Sequence, residues 1–262
     1  MKKTSYLMWL LAPVLLLVLV GCAASASGEG IPNIQRATLM EADQATSEVS
    51  TEELQVILRE KTATVFDARP FMEYSVSHIP GALNVAPKPG VSVDFYISDP
   101  AEVGRVVQGN KDAPIVLYCN GPFCGKSKRL SKELLDDGFT NVRRYQLGAP
   151  TWRALVGLMQ IEAEGVKYVW SQDQTAVWID AREPAQSSAD PVTNSRNIPL
   201  AEVKAAKKDG RLPMNDHNTR IIVFGQDGHQ ARAVAESIAH NAFHNVSFFE
   251  GNLDTFRAAT GG

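Results

Sequence analysis

The sequence predicts an α/β protein made of two copies of one domain, each a mostly parallel sheet flanked by helices. Two observations lead to this prediction. Motifs of the first half recur in the same order in the second half, and in each half short β-rich runs alternate with helical patterns. Alternation of strands and helices implies parallel strands whose sheet is covered on both faces.

The internal repeat is visible in three pairs of motifs and in single residues near the end of each copy. The pairs are "VFDARPFMEY" at 65–74 with "VWIDAREPAQ" at 177–186, "HIPGA" at 78–82 with "NIPLA" at 197–201, and "PIVLYCNGP" at 114–122 with "RIIVFGQDG" at 220–228. Cys119 aligns with Gly225, 106 positions on, whereas Phe139 aligns with Phe243, 104 positions on. The first copy therefore carries two extra residues in the turn after the cysteine.

The elements of the first copy follow from local patterns. A helix is expected from Thr51 to Arg59, with Thr51 as its N-cap and two glutamates in the first turn, where they favour the helix dipole. Strands are expected at Val65–Phe66, Ile115–Tyr118 and Val142–Tyr145.

The segment after Ser127 predicts a further helix. Leu130, Leu134 and Leu135 share one helical face, and Gly138 is a natural stop.

The N-terminus predicts export. Two lysines precede an apolar run from Tyr6 to Val20, which is shorter than the roughly 20 residues of a membrane-spanning helix, so residues 1–21 are expected to be a signal peptide. The sequence "LVGC" resembles the bacterial lipobox, and this resemblance implies lipid attachment at Cys22. The alternative is an ordinary signal peptide with a chance cysteine.

The lipobox resemblance also implies a location. Ala23 after the cysteine implies sorting to the outer membrane of a Gram-negative bacterium, with the protein lipid-anchored on the periplasmic face; the inner membrane is the less favoured site. Residues 22–46 are rich in Ala, Ser, Gly, Glu and Thr and are expected to be a flexible tether.

Composition limits what the rest of the chain can be. The chain is 44% apolar, and after the tether it is long enough for two ordinary domains, expected at 47–165 and 166–262. The net charge of −3 argues against non-specific binding of nucleic acid, which needs clustered cations.

The stretch "LYCNGPFCGKSKRL", Leu117 to Leu130, is the strongest candidate for a functional site. Cys119 ends a buried strand and a helix follows, which is where parallel α/β sheets bind ligands. Lys126, Lys128 and Arg129 oppose the dipole of that helix, which predicts an anion beside them. In such a loop we expect a thiolate with a depressed pKa, a nucleophile at neutral pH.

Together, "Asp-x-Arg", "His-Ile-Pro-Gly-Ala" and the strand-terminal cysteine resemble the rhodanese family, whose members carry sulfane sulfur as a cysteine persulfide. The resemblance implies two rhodanese-like domains and makes Cys119 the nucleophile of the first. It implies an anion-binding loop made of Asn120, Gly121, Pro122, Phe123, Cys124, Gly125, Lys126 and Ser127.

The sequence departs from the family pattern at two points. The family's loop has Ser six positions after Cys and an arginine before that Ser, whereas here Ser127 is eight positions after Cys119 and Lys126 precedes it, which predicts a wider pocket. In the second copy Gly225 stands at the cysteine position, so that copy is expected to be degenerate and to form no persulfide.

Several roles stay open at this stage. Cys124 is a candidate redox partner of Cys119, a disulfide partner or part of the loop wall, and the loop has the slack for a labile Cys119–Cys124 bridge. Zinc fits poorly because the five histidines offer no obvious third and fourth ligand, so no metal is expected. Asp67 and Arg69 are expected to form a structural salt bridge, and His78 to stabilise the fold.

The sequence thus predicts a sulfurtransferase that moves sulfane sulfur through Cys119, for example from thiosulfate to a thiol or cyanide acceptor, without a cofactor. Two other classes stay open: a periplasmic thiol–disulfide redox protein using Cys119 and Cys124, and a non-enzymatic binding module.

Overall fold

The structure is a computed structural model that describes residues 33–86 and 98–261. The predicted signal peptide and the predicted lipidation site Cys22 lie outside the described residues. From Asn33 onwards the chain forms one compact unit. None of the described helices has the length and apolarity needed to cross a membrane.

The first domain is a five-stranded parallel sheet with the strand order β1-β5-β4-β2-β3. Its elements are β1 Ser47–Glu48, α1 Thr51–Glu60, β2 Thr64–Asp67, α2 Phe71–Val76, β3 Leu83–Asn84, α3 Pro100–Val106, β4 Ile115–Tyr118, α4 Lys126–Asp136, β5 Val142–Tyr145 and α5 Gly148–Leu155. The strand β4 lies at the centre, and all four of its residues are buried because helices cover both faces.

The second domain repeats this topology with the strand order β6-β10-β9-β7-β8. Its elements are β6 Leu158–Ile161, α6 Ala163–Gln172, β7 Val177–Asp180, α7 Pro184–Ala189, β8 Ser195–Asn197, α8 Val203–Asp209, β9 Ile221–Phe224, α9 Gly228–Ala239, β10 Val246–Phe249 and α10 Leu253–Thr260. The two orders match strand for strand, which confirms the predicted fold class and the duplication.

The boundary between the domains lies earlier than the predicted 165/166. The strand β6, Leu158–Ile161, pairs in parallel with β10 and so belongs to the second sheet. It was missed because β6 corresponds to β1, which pairs only at Ser47 and Glu48 and offers no apolar run to compare. The first domain therefore ends with α5.

The described part of the predicted flexible tether, residues 33–46, makes several polar contacts with the first domain. A short 3₁₀ helix forms at Ile34–Arg36, and Arg36 pairs with Glu52 of α1. Glu41 pairs with Lys128 at 2.5 Å, and Thr46 is buried. Specific polar contacts therefore fix a segment whose composition has little apolar periodicity.

The start of α1 also differs from the prediction. Ser50, not Thr51, is the N-cap, because its hydroxyl accepts a hydrogen bond from the backbone of Glu53 at 3.2 Å. The Thr51 hydroxyl is instead hydrogen-bonded to the hydroxyl of Tyr145 at 2.9 Å in the core.

The two domains meet through α2 and α6. His78 and Gln160 exchange two backbone hydrogen bonds of 3.0 and 2.9 Å, forming an antiparallel bridge between the domains. A Cβ on Gly165 of α6 would lie only 2.0 Å from the carbonyl oxygen of Ser75, so the helices touch backbone to backbone. This contact holds the ends of α2 and β4 against the second domain.

Candidate active site

Cys119 lies at the carboxyl end of β4, the central strand of the first sheet, and is only 2% exposed. The strand is uniformly apolar, so it must be buried, and its end delivers the cysteine to the sheet edge. The backbone N–H of Ala149 donates to the carbonyl of Cys119 at 3.0 Å, which anchors the turn to the start of α5. A Cβ on Gly148 would lie 2.4 Å from that carbonyl oxygen, so only glycine at position 148 lets the cysteine loop pack this closely.

The Cys119 thiol is enclosed by its own loop. Its Sγ–H donates to the carbonyl oxygen of Cys124 at 3.2 Å, and Sγ lies 3.3 Å from the hydroxyl of Ser127. Burial raises the pKa of the Cys119 thiol to about 11, although the hydroxyl and backbone N–H of Ser127 act in the opposite direction. The expectation of a depressed pKa at Cys119 is therefore wrong for this state, because burial outweighs the loop's donors.

Cys124 has the more acidic thiol of the pair. Burial alone would raise its pKa, but contact with Cys119 and the backbone N–H groups of Lys126 and Asn120 lower it below the ordinary value. The backbone amides at both ends of the loop, predicted to hold an external anion, thus face the Cys124 sulfur. Both cysteines are free thiols.

The remaining loop residues form the turn that brings the two thiols together. The Cys124 N–H donates to the carbonyl of Gly121 at 3.0 Å, and Gly121 adopts φ +96°, a conformation that favours glycine. Asn120 donates to the Glu73 carboxylate at 2.5 Å. The side chains of Pro122 and Phe123 and the residue Gly125 are exposed, and Ser127 is buried.

The three cations at the start of α4 have separate roles. Lys128 pairs with Glu41 and Arg129 with Glu133, at 2.5 and 2.6 Å. Lys126 lines a cavity of about 880 Å³ between the two domains. The prediction that all three face one anion is therefore wrong, since two of them are paired with carboxylates of this chain.

The cavity beside the loop is lined largely by positive and polar groups from both domains. Its lining includes Arg69, Glu73, Ser77, Lys126, Arg153, Tyr168, Arg220, Asn245 and Ser247. Arg153 stands out because its Nε is buried and has no hydrogen-bond partner among the described residues. Burial, and then the charges of Arg69 and Arg220, lower the pKa of Arg153, as expected where cations face one another.

Comparison of the two copies explains why Arg153 is under-satisfied. In the first copy Arg69 donates to the carbonyl of Ser77 at 2.7 Å, and Arg153 donates to its hydroxyl at 2.9 Å. In the second copy Arg182 donates to the carbonyl of Asp190 at 2.9 Å, and Arg257 binds the Asp190 carboxylate at 2.6 Å. Ser77 therefore stands where the second copy has a carboxylate, and among the described residues of the first copy Arg153 has no counterpart to the Asp190 carboxylate that binds Arg257.

The predicted salt bridge between Asp67 and Arg69 is confirmed. The buried pair is bridged at 2.5 Å, and the equivalent Asp180–Arg182 pair at 2.7 Å, which supports a structural role because it recurs without the cysteine. His78 is fully buried, donates from Nδ1 to the carbonyl of Tyr74 at 2.9 Å and stacks on its ring.

The second copy fills its own loop. Gly225 follows β9, and a Cβ there would lie 2.9 Å from Oε1 of Gln230 and 3.1 Å from the carbonyl of Asp227. The Gln230 side chain accepts from the backbone of Gln226 at 2.9 Å, and Asp227 caps α9. A side chain at Gly225 would therefore have to displace the Gln230 amide, which occupies the space beside Gly225 in this loop.

The sequence did not single out Arg153, Tyr168 or Arg220 as site residues. They come from α5, from α6 and from the residue before β9, so only the packing of the two domains brings them to one cavity. For Arg153 one signal existed, since it aligns with Arg257 in the repeat while Ser77 lacks the charge of Asp190.

Tandem parallel α/β domains with a cysteine at the end of one central strand define the class of this protein. The model of the rhodanese-like domain matches residues 50–155 and 167–259. The chain belongs to the rhodanese-like domain family.

Individual relatives match less of the chain. An HTH-type transcriptional regulator of Mycobacterium tuberculosis is 33% identical over 105 residues, which is 39% of this chain and 40% of that protein. The chain thus spans well under half the length of this relative.

Two solved structures are similar in part. A thiosulfate sulfurtransferase from Pseudomonas aeruginosa is 21% identical with a TM-score of 0.36, covering 80% of this chain and 44% of that one. A 3-mercaptopyruvate sulfotransferase from Escherichia coli is 20% identical with a TM-score of 0.35, covering 79% of this chain and 98% of that one.

Proposed function

We propose that the protein is a sulfurtransferase that carries sulfane sulfur as a persulfide on Cys119. The observation that supports this most is the position of Cys119, buried at the end of β4 in a loop whose residue Lys126 lines a cavity with more cations than carboxylates. Membership of the rhodanese-like family supports the same reaction class. Only the first copy has a thiol at this strand end, so the first domain carries the chemistry.

The donor in this proposal is a small sulfur anion such as thiosulfate. Lys126 and Arg153 line the cavity and attract it, and Arg153 offers an N–H without a partner among the described side chains. Glu73 lines the same cavity and accepts the hydrogen bond from Asn120, so the cavity adjoins the loop.

The proposed reaction has two displacements. The deprotonated Sγ of Cys119 attacks the outer sulfur of thiosulfate; the new S–S bond forms as the old one breaks, and sulfite leaves with the electron pair. A thiol or cyanide acceptor then takes the outer sulfur, and the Cys119 thiolate leaves, stabilised by the hydroxyl and backbone N–H of Ser127. Because burial raises the pKa of the Cys119 thiol, its thiolate is scarce at neutral pH, and loading should accelerate as the pH rises.

The test is sulfur loading of the full chain by thiosulfate, followed by peptide mass mapping and by thiocyanate formation with cyanide. Wild type should gain one sulfur atom on Cys119, and Cys119→Ser should neither load nor form thiocyanate. Full activity of Cys119→Ser would refute the assignment. Loading of Cys119 in the variant Cys124→Ser separates this function from a dithiol redox protein, which needs both thiols, and from a binding module; in either of those classes the variant would gain no sulfur.

For location, the proposal remains a lipoprotein on the periplasmic face of the outer membrane, supported by the sequence around Cys22. Wild type should fractionate with membranes, and Cys22→Ser should be released or left unprocessed. An unmodified wild type in the soluble fraction would contradict this.

A further inference from the structure

We propose that Cys124 is an internal acceptor for the sulfur on Cys119, so that the loop releases hydrosulfide and closes as a Cys119–Cys124 disulfide. This inference rests on the proposed function, since it begins from a persulfide on Cys119. It adds a second catalytic residue and a second product, and it assigns Cys124 one of the roles that the sequence leaves open.

The first support is the position of Cys124 against the reacting sulfur. Cys119 Sγ lies 3.2 Å from the backbone carbonyl oxygen of Cys124. The turn closed by the hydrogen bond from Cys124 to Gly121 holds this arrangement, with both sulfurs reduced. The loop therefore folds the backbone of Cys124 onto the reacting sulfur, which brings the second cysteine next to it.

The second support is the electrostatic setting of Cys124. Two backbone N–H groups, those of Lys126 and Asn120, face its sulfur and favour the thiolate. Cys124 is also partly exposed, whereas Cys119 is buried. The pair thus consists of a buried carrier and a more acidic, more accessible nucleophile.

The proposed step balances without an added oxidant. The Cys124 thiolate attacks Sγ of the Cys119 persulfide, an Sγ–Sγ bond forms, and the bond from Cys119 Sγ to the outer sulfur breaks. The outer sulfur leaves with the electron pair and takes a proton as hydrosulfide. The two cysteine sulfurs are oxidised and the sulfane sulfur is reduced, and a dithiol reductant must then reopen the disulfide before another turnover.

The leaving group favours attack at the inner sulfur. Attack at the outer sulfur would expel the Cys119 thiolate, a strong base because burial raises its pKa to about 11. Thiol–disulfide exchange is faster when the departing sulfur has the lower pKa, and hydrosulfide is the weaker base. The hydrogen bond from Cys119 Sγ to the Cys124 carbonyl places Cys124 beside the same inner sulfur.

The experiment loads the full chain with thiosulfate under anaerobic conditions, with no other thiol or cyanide present. Hydrosulfide is trapped and counted, while peptide mapping follows Cys119 and Cys124. Wild type should release one hydrosulfide per loaded protein and lose both thiols to a disulfide. A sample without thiosulfate is the control and should keep both thiols.

The matched variants are Cys124→Ser and Cys124→Ala, two changes of different polarity in case one disturbs the loop. The comparison is the lifetime of the Cys119 persulfide after loading is complete, so a change in loading rate in either variant does not enter it. Their persulfide should persist at least ~10-fold longer, since the intramolecular nucleophile is gone.

The outcomes separate the two proposals. A wild-type persulfide that lasts as long as that of the variants, with no hydrosulfide, would overturn this inference and leave the proposed function standing. A Cys119 that takes up no sulfur in any of the proteins would overturn the proposed function and this inference with it.

Discussion

Replacing Ser77 with aspartate should reproduce in the first copy the arrangement of the second and weaken donor binding. Arg153 donates to the Ser77 hydroxyl at 2.9 Å, whereas Arg257 binds the Asp190 carboxylate at the equivalent place. Ser77→Asp would give Arg153 an internal counter-charge. An incoming thiosulfate would then compete with it.

The size of the effect follows from the geometry. Unit charges ~4 Å apart attract by about 4 kcal/mol at an effective dielectric constant of ~20. Solvent reaching the cavity reduces this to ~1–2 kcal/mol, somewhat above the roughly 0–1 kcal/mol of exposed ion pairs because Arg153 is partly buried. The half-saturating concentration of thiosulfate for loading Cys119 should therefore rise about 5- to 30-fold, because that factor corresponds to the same free energy.

The assay is the initial rate of sulfur loading on Cys119 against thiosulfate concentration, read by mass spectrometry. The matched control is Asp190→Ser, which makes the reciprocal change in the second copy and should leave half-saturation unchanged. An unchanged half-saturating concentration in Ser77→Asp, with the protein folded, would refute the role of Arg153 in donor binding.

Two further predictions concern stability. Gly148→Ala should lower the free energy of unfolding in urea by ~3–5 kcal/mol and slow Cys119 loading, because its Cβ would lie 2.3 and 2.4 Å from loop backbone atoms. The control Gly138→Ala has a similar positive φ but open space around it and should lower it by only ~1–2 kcal/mol. Equal losses in the two variants would contradict the overlap. Burial lowers the pKa of His78 to about 4, so its neutral form contributes stability that is complete above pH ~6.5 and is lost as the pH falls toward 4. Relative to His78→Asn, the free energy of unfolding of wild type should fall by about 3 kcal/mol between pH 7 and 4. Parallel pH profiles of the two proteins would contradict this.

The fold could be predicted because its signals are local and repeated. The strands at Ile115–Tyr118 and Val142–Tyr145 have the predicted bounds, since a buried parallel strand is a short apolar or β-rich run flanked by turns. The repeat of Asp-x-Arg gave the buried ion pair in both copies. The domain boundary could not be placed, because β6 is recognised only through its pairing with β10.

The site was predicted in part. Cys119 and its loop were found because a strand-end cysteine before a helix is visible along the chain. The relative pKa of the two thiols could not be predicted from the sequence, because it depends on burial and on which backbone N–H groups face each sulfur. Arg153 and Arg220 are brought together only by the contact between domains.

The two copies differ in how they satisfy equivalent polar groups, and this difference explains the division of labour between them. In the second copy the polar groups bind one another: the Asp190 carboxylate pairs with Arg257, and the Gln230 side chain packs into the loop that follows Gly225. The first copy leaves Arg153 without a carboxylate and keeps a thiol at the strand end. An under-satisfied buried guanidinium reduces stability unless a ligand binds it. The difference supports the proposal that the first copy receives an anion, since in the second copy its own side chains occupy the equivalent place.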